Sequence, residues 1–258
     1  MGILNVTPDS FSDGGSFADT AAAVEHGLRM AADGADLIDV GGESTRPGAA
    51  TVSVEAELAR VISVIAQLAG SLRIPISIDT SKAEVAFQAI EAGASIINDV
   101  TALRGDPQMA SVAARSGASV ILMHMRGNPR TMQRAPRYHD VVEDVAGFLR
   151  EAARRAQDAG IERSRILLDP GLGFGKTVGH NIELLHSLDR FVTLGFPIVI
   201  GPSRKSFIGK TLGAELEDRL SGTLACVARA FHCRIQVVRV HDVRPTVHLL
   251  NMLDTIER

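Results

Sequence analysis

Only two cysteines occur in 258 residues, Cys226 and Cys233. Two thiols seven residues apart on one expected helix cannot build the disulfide framework of a secreted protein, so the sequence points to a reducing, cytoplasmic setting. Both thiols are expected to be core residues. No apolar run reaches the roughly 18 residues that a membrane helix requires, and no charged leader precedes an apolar stretch, so no secretory signal is expected. Met1-Gly2 invites N-myristoylation, but position 6 is Val6 where that motif needs Ser or Thr. An excess of positive charge is also missing. Lys and Arg total 27 against 30 Asp and Glu, a net charge of −3, which argues against a nucleic-acid surface. Linkers and low-complexity segments are lacking, and 45% of residues are hydrophobic, ample for a core. One domain over residues 1–258 is the expectation.

What is present is a repeated plan. Short apolar runs are expected as strands at 2–6, 36–40, 75–79, 95–98, 119–123, 166–169, 197–200 and 235–240. Amphipathic stretches separate them. The first helix puts Val24, Leu28 and Ala31 on one face and stops at Gly34. The second carries Leu58, Val61, Ile62, Ile65 and Leu68. Ser81 and Glu84 have capping-box spacing for the third. Asp106-Pro107 reads as an N-cap with proline at the first helical position of the fourth. Val142, Val145 and Leu149 mark the fifth, a short sixth starts near Asn181, and Leu220, Leu224, Val227 and Phe231 mark the seventh. The eighth runs from Asp242. Strict alternation of strand and helix implies a parallel sheet, and nearly continuous apolar strands imply burial on both faces. Eight such units in about 250 residues suit an α/β fold of the (β/α)8 TIM-barrel type. A doubly wound open sheet is the alternative.

The central stretch is 166–176, Ile-Leu-Leu-Asp-Pro-Gly-Leu-Gly-Phe-Gly-Lys. An apolar strand ends on Asp169 and a glycine-rich turn follows, where backbone N–H groups can approach a ligand closely. Gly175-Lys176-Thr177 mimics the end of a phosphate-binding P-loop. The first glycine of that motif would fall at Pro170, which has no N–H and a fixed φ, so a nucleoside-triphosphate site is rejected. The dinucleotide motif G-x-G-x-x-G fails as well, because its third glycine would be Lys176.

In a (β/α)8 barrel the site lies at the carboxyl ends of the strands. Those ends here carry Asn5, Asp79, Asn98, Asp169, Ser203 with Lys205, and Arg239 with His241. A polar residue after a strand is often only a cap or turn former, and that reading is favoured for Asp39, Asp99 and His124. Many such residues converging on one face are harder to assign to capping. Carboxylates beside an amide can pair with the donor–acceptor edge of an amino-oxo heterocycle. Arg46, Ser203, Arg239 and His241 supply donors for an anion such as phosphate. Asn5 offers an oxygen for Mg²⁺, which often binds through few protein ligands plus phosphate oxygens. The implied substrate is a polar heterocycle with a phosphorylated arm. No Ser–His or Cys–His nucleophile is evident.

The segments 5–15, 41–48, 78–80, 98–100, 169–176, 203–205 and 239–242 together resemble, in order, the signatures of the dihydropteroate synthase family, over nearly the whole chain. The resemblance implies condensation of 6-hydroxymethyl-7,8-dihydropterin diphosphate with p-aminobenzoate to give 7,8-dihydropteroate and pyrophosphate, with sulfonamides as mimics of the second substrate. It implies a pterin site of Asp79, Asn98, Asp169 and Lys205. It gives the diphosphate and its Mg²⁺ to Asn5, Thr45, Arg46, Arg239 and His241, with Ser203 beside them. It puts p-aminobenzoate near Pro47, Phe174, Lys205 and Ser206, and has Asp13 close over the site. The resemblance makes Asp13, Asp79, Asp169 and Lys205 the expected catalytic set. A homodimer is implied. The first two loops, with Asp13 and Arg46, are too glycine- and proline-rich to hold the second pocket shut alone, so pterin diphosphate and Mg²⁺ are expected to bind first and order them, and p-aminobenzoate or a sulfonamide second.

Departure of pyrophosphate leaves positive charge on the pterin methylene and ring, which nearby carboxylates stabilise. Family members usually carry a segment before the first strand, whereas Met1 abuts it here, so one barrel end is expected to be less covered. Pro202 stands where Thr or Ala is commoner and is expected to shift the Ser-Arg-Lys loop slightly. Methyltransferase domains that bind methyltetrahydrofolate resemble the Asp79, Asn98 and Asp169 pattern but release no diphosphate, so the 203–205 and 239–241 elements argue against them. A pterin-binding paralogue without turnover is the non-enzymatic alternative.

Overall fold

A computed structural model of the chain describes residues 1–7, 16–44, 48–128 and 131–258. Six strands run parallel in sequence order: β1 (Gly2–Asn5), β2 (Ile38–Gly41), β3 (Ile76–Asp79), β4 (Ile96–Asp99), β5 (Ser119–Met123) and β6 (Ile166–Asp169). β7 (Val199–Ile200) pairs in parallel with β8 (Val237–Val238). Single rungs join the two sheets. Leu168 N–H donates to Pro197 O at 2.9 Å, and Ile3 N–H donates to Val240 O at 2.9 Å. The circle therefore closes, as a (β/α)8 barrel requires, and the open-sheet alternative is excluded. The eighth strand is shorter than the apolar run 235–240 suggests, because only two of its residues keep ladder pairing.

The helices are α1 (Ser16–Ala32), α2 (Val54–Ser71), α3 (Ala83–Glu91), α4 (Met109–Ser116), α5 (Val141–Asp158), α6 (Val178–His186), α7 (Leu188–Val192), α8 (Ser206–Leu212), α9 (Leu220–His232) and α10 (Val243–Glu257). Strand side chains alternate between two apolar environments. Leu4, Ile38, Val40, Ile78, Ile97, Leu122 and Leu168 face outward into the main core beneath the helices. Met1, Ile96, Ile121 and Val199, with Leu37, Leu167 and Val237 against them, form a separate apolar plug inside the barrel. Met1 is itself part of that plug.

Five local expectations are corrected. α1 buries Ala23, Gly27 and Met30, whereas Leu28 is 37% exposed. Gly27 is the residue that lets Leu68 of α2 approach, since a Cβ there would lie 2.8 Å from a Leu68 methyl. α3 has no Ser81–Glu84 box. Its N-cap is Lys82 without a side-chain cap, and Ala83 N–H donates instead to Asp106 Oδ2 at 2.9 Å. Asp106 does not open α4 directly; its Oδ1 takes Gln108 N–H at 2.9 Å and the helix starts at Met109. One carboxylate with two oxygens thus fixes two helix entrances. α6 begins at Val178, earlier than Asn181, behind a reciprocal cap between Thr177 and His180. Cys226 and Cys233 are half-buried free thiols, less enclosed than expected.

Candidate active site

All the strands are parallel, so their carboxyl ends share one face of the barrel. The ladder register makes Asn5 the partner of Gly41, Gly41 the partner of Asp79, and Asp79 the partner of Asn98. Four neighbouring strands therefore present one polar layer. Gly41 leaves a gap in it: a Cβ there would lie 3.5 Å from the Asp79 Cβ and 3.9 Å from the Asn5 Oδ1. Asp169, paired with Met123, continues the face on β6. Asp79, Asn98 and Asp169 are all buried.

Arg239, just beyond β8, closes the layer. Its Nε donates to Asp39 Oδ2 at 2.6 Å, and Nη2 donates to Asp79 Oδ2 at 2.8 Å. Asn98 Nδ2 also donates to Asp39 Oδ2, at 3.1 Å. Burial pushes the Asp79 carboxyl up to about 7; the Arg239 charge opposes the rise, and the charges of Asp39, Glu57 and Asp99 add to it. Burial alone would lower the Arg239 value, but Asp39 and Asp79 outweigh it and hold the guanidinium above its ordinary value.

The β6–α6 turn forms the other wall. Asp169 Oδ1 accepts from Gly171 N–H at 2.6 Å. Burial raises its pKa, with the Lys205 charge opposing. The Lys205 ammonium donates to Leu172 O and lies 4.5 Å from the Phe174 ring centroid. Burial pulls its pKa down to about 8, against the pull of Asp169. Phe174 and Lys205 are thus in direct contact, as loops after adjacent strands permit.

Ser203 Oγ accepts from His241 N–H at 3.1 Å and lies 3.0 Å from His241 Nδ1. Ser203 Oγ thus ties both the backbone N–H and the ring of His241 to the loop after β7. Behind them Arg204 takes a left-handed conformation, φ 55°, and pairs with Asp242, Nε to Oδ2 at 2.9 Å. Lys205 N–H closes a turn onto Pro202 O at 3.2 Å. Ser206 opens α8, but that helix is only seven residues long, so its share in holding a carboxylate is confined to first-turn N–H groups.

The structure brings Asn5, Asp79, Asn98, Asp169, Phe174, Ser203, Lys205, Ser206, Arg239 and His241 to one face. Asp13, Thr45, Arg46 and Pro47 lie outside the described residues. Sequence reasoning misread Asp39 and His124 and missed Glu57. Asp39 is not a turn former: it is fully buried and pairs with Arg239, and a charge inside an otherwise apolar strand is the signal in the sequence. His124 is buried against the Lys176 ammonium, Nδ1 to Nζ 2.9 Å. Glu57, on the buried stripe of α2, shares the Lys82 ammonium with Glu43; an acid four residues before Val61 marks it. Asp99 is as expected. Its oxygens take Thr101 N–H and Leu103 N–H, both at 2.8 Å, and hold Ala102 and Leu103 at positive φ.

Among the described residues no group of three His, Cys, Asp or Glu side chains could hold a metal ion. The donor set fits a Mg²⁺ held mainly by phosphate oxygens and water, with one amide oxygen from Asn5. A groove of about 830 Å³ between α5, α6 and α9, lined in part by Glu143, Arg190 and Arg229, lies on the helical shell and contains none of the candidate residues. No helix among the described residues is long and apolar enough to cross a membrane.

This closed barrel, with its polar layer at the carboxyl ends of the strands, matches the pterin binding enzyme family over residues 1–241. Dihydropteroate synthase of Escherichia coli K12 is 49% identical over 254 residues, 98% of this chain and 90% of that protein. A structure of Xanthomonas albilineans dihydropteroate synthase with 4-aminobenzoic acid superposes with a TM-score of 0.94 at 48% identity, covering 100% of this chain and 92% of that one. A Yersinia pestis dihydropteroate synthase in a sulfonamide drug complex has a TM-score of 0.94 at 44% identity, covering 100% and 93%. The chain belongs to the dihydropteroate synthase family and is a transferase of folate biosynthesis.

Proposed function

We propose that the chain condenses 6-hydroxymethyl-7,8-dihydropterin diphosphate with p-aminobenzoate, releasing pyrophosphate, at the carboxyl face of the barrel. The observation that carries this reading is the Asp39–Arg239–Asp79 bridge. It joins a carboxylate layer suited to a heterocycle to a cationic edge suited to a diphosphate.

Asp79, Asn98 and Asp169 receive the pterin ring, with Lys205 at its edge. Arg239 keeps Nη1 for an incoming phosphate oxygen, and His241, oriented by Ser203, supplies a second donor. Asn5 would hold Mg²⁺ together with the diphosphate, and Thr45 and Arg46 would act on the same group. When bound, the metal neutralises charge on the leaving pyrophosphate. Arg239 and His241 add to that neutralisation, while Asp79, Asp169 and Asp13 face the positive charge that develops on the pterin. The amine of p-aminobenzoate, packed against Phe174 near Pro47, Lys205 and Ser206, then attacks the activated methylene. A coupled assay for pyrophosphate tests the reaction: release must need both substrates and fall on Mg²⁺ chelation. Release that is independent of p-aminobenzoate would overturn it.

Binding is ordered, pterin diphosphate with Mg²⁺ first and p-aminobenzoate or a sulfonamide second. Calorimetric titration of p-aminobenzoate into ligand-free protein gives little heat on this view, and tight binding there would reverse the order. The chain acts as one domain and as a homodimer in the cytoplasm. Met252 and Ile256, one turn apart on α10, are 59% and 66% exposed, the kind of apolar surface that a second copy covers. Sedimentation at micromolar concentration is expected at twice the 27.4 kDa chain mass, and a single 27.4 kDa species would rule the dimer out.

A further inference from the structure

The β6–α6 turn contains Gly171, Gly173 and Gly175, all at positive φ. Such a segment would be expected to be loose, because glycine loses the most conformational freedom on ordering. Each of its five consecutive carbonyls nevertheless accepts from a side chain. Gly171 O and Phe174 O take the Lys176 ammonium at 2.9 and 3.0 Å. Leu172 O takes Lys205, Gly173 O takes Gln133 Nε2 at 2.6 Å, and Gly175 O takes the Tyr138 hydroxyl at 2.7 Å.

Lys176 is the hub of this arrangement. It is 3% exposed, and its third partner is His124 Nδ1 at 2.9 Å. An ammonium has three N–H donors and no acceptor, and here they are met by the Gly171 and Phe174 carbonyls and by His124, whose own carbonyl also lies 3.4 Å away. His124 is anchored in turn, its backbone N–H donating to Asp169 O at 2.9 Å and its ring meeting Phe148 edge to face at 4.8 Å. Gly171 lies so close to this strand that a Cβ would come within 2.0 Å of His124 O. The turn is therefore pressed on the end of β5 and pinned there by one buried side chain. Burial pulls the Lys176 pKa well below the ordinary lysine value, with the Asp169 charge opposing.

We propose that Lys176 is a positioning residue for the p-aminobenzoate subsite, acting through its hydrogen bonds to the Phe174 and Gly171 carbonyls and its anchor on His124. The proposal rests on the reading of Phe174 as the aromatic wall of that subsite. Lys176 touches no substrate and no reacting atom. It fixes where the Phe174 ring stands relative to Lys205. The Asp169 backbone is held by the β5–β6 ladder and its carboxylate meets the turn at Gly171 N–H, so the pterin side depends on Lys176 less directly than the Phe174 ring does.

Steady-state kinetics of Lys176→Met, Phe174→Ala and the double variant test this. Lys176→Met is expected to raise KM for p-aminobenzoate at least tenfold, with KM for pterin diphosphate changed less than threefold and kcat reduced less than KM is raised. In the Phe174→Ala background the same substitution is expected to add less than threefold, because two changes acting through one ring are not additive. Lys176→Arg, which keeps the donors, restores part of the affinity. If Phe174→Ala leaves KM for p-aminobenzoate unchanged, the subsite reading itself fails. If Phe174→Ala raises it but Lys176→Met only lowers Tm or the folded fraction, or the two effects multiply in the double variant, the positioning role is overturned. Should Lys176→Met be recovered unfolded, His124→Leu, which removes the ring-nitrogen acceptor and keeps the carbonyls, decides the matter. A smaller rise in the same KM supports the proposal, and an unchanged KM overturns it.

Discussion

Arg239 donates to Asp79 across 2.8 Å while spending its Nε on Asp39. One guanidinium thus serves as counter-charge to two buried carboxylates and as part of the proposed diphosphate site. Its loss cannot be a clean test of phosphate binding, since Asp79 moves from a paired to an unpaired state. Arg239→Ala is expected to destabilise the fold by about 3–5 kcal/mol, the usual cost of stranding a buried charge, and to weaken binding of pterins with and without a phosphorylated arm. Urea denaturation alongside calorimetry checks both, and unchanged stability would show that the bridge is not a structural tie.

Asp79 makes the pH dependence predictable in sign. Its folded-state pKa is raised from 3.8 to about 7, chiefly by burial. A group raised on folding contributes stability that is fully present below its unfolded value and is lost as pH rises through the folded one. Asp79 therefore favours the fold below about pH 4 and withdraws that contribution between pH 4 and 7. Asp79→Asn is expected to lose less Tm than the native chain between pH 5 and pH 8. Parallel Tm curves for the two proteins would contradict the raised value.

Asp169 joins a local and a functional role. Its Oδ1 holds Gly171 N–H at 2.6 Å. Asn keeps that oxygen and loses the second acceptor. Asp169→Asn is expected to leave Tm within a few degrees and to weaken pterin binding roughly tenfold to a hundredfold, equivalent to about 1–3 kcal/mol for a mismatched buried group. A lower Tm with unchanged pterin affinity would reduce Asp169 to a cap.

Lys82 is the counter-charge of Glu57, which is wholly buried, and of Glu43, whose Oε1 accepts from Val52 N–H at 3.2 Å. Lys82→Met leaves Glu57 buried without a cation and is expected to cost about 3–5 kcal/mol. The double change Lys82→Met with Glu57→Leu removes both charges and recovers most of that loss. Chemical denaturation of the two variants checks this, and equal losses in both would mean that the ion pair is not the cause.

The sequence by itself determined the order of eight strand–helix units, because apolar runs broken by amphipathic stretches are a local property. It also determined which residues stand at strand ends: Asn5, Asp79, Asn98 and Asp169 follow from where each run stops. Only the tertiary structure decided that Asp39 lies beneath Arg239, 200 residues away. Both faces of a barrel strand are buried, so alternation does not say which side chains point inward. Only barrel closure, made by single rungs from β6 to β7 and from β8 to β1, brings the last strand beside the first. The start of α3 was likewise settled from outside, by Asp106. Lys176 shows the limit most plainly. Its sequence context mimics a phosphate loop, while its ammonium is turned inward on two carbonyls and on His124, 52 residues away. The direction of a long side chain in a glycine turn is set by which acceptors the fold delivers within 3 Å, and no local pattern encodes that.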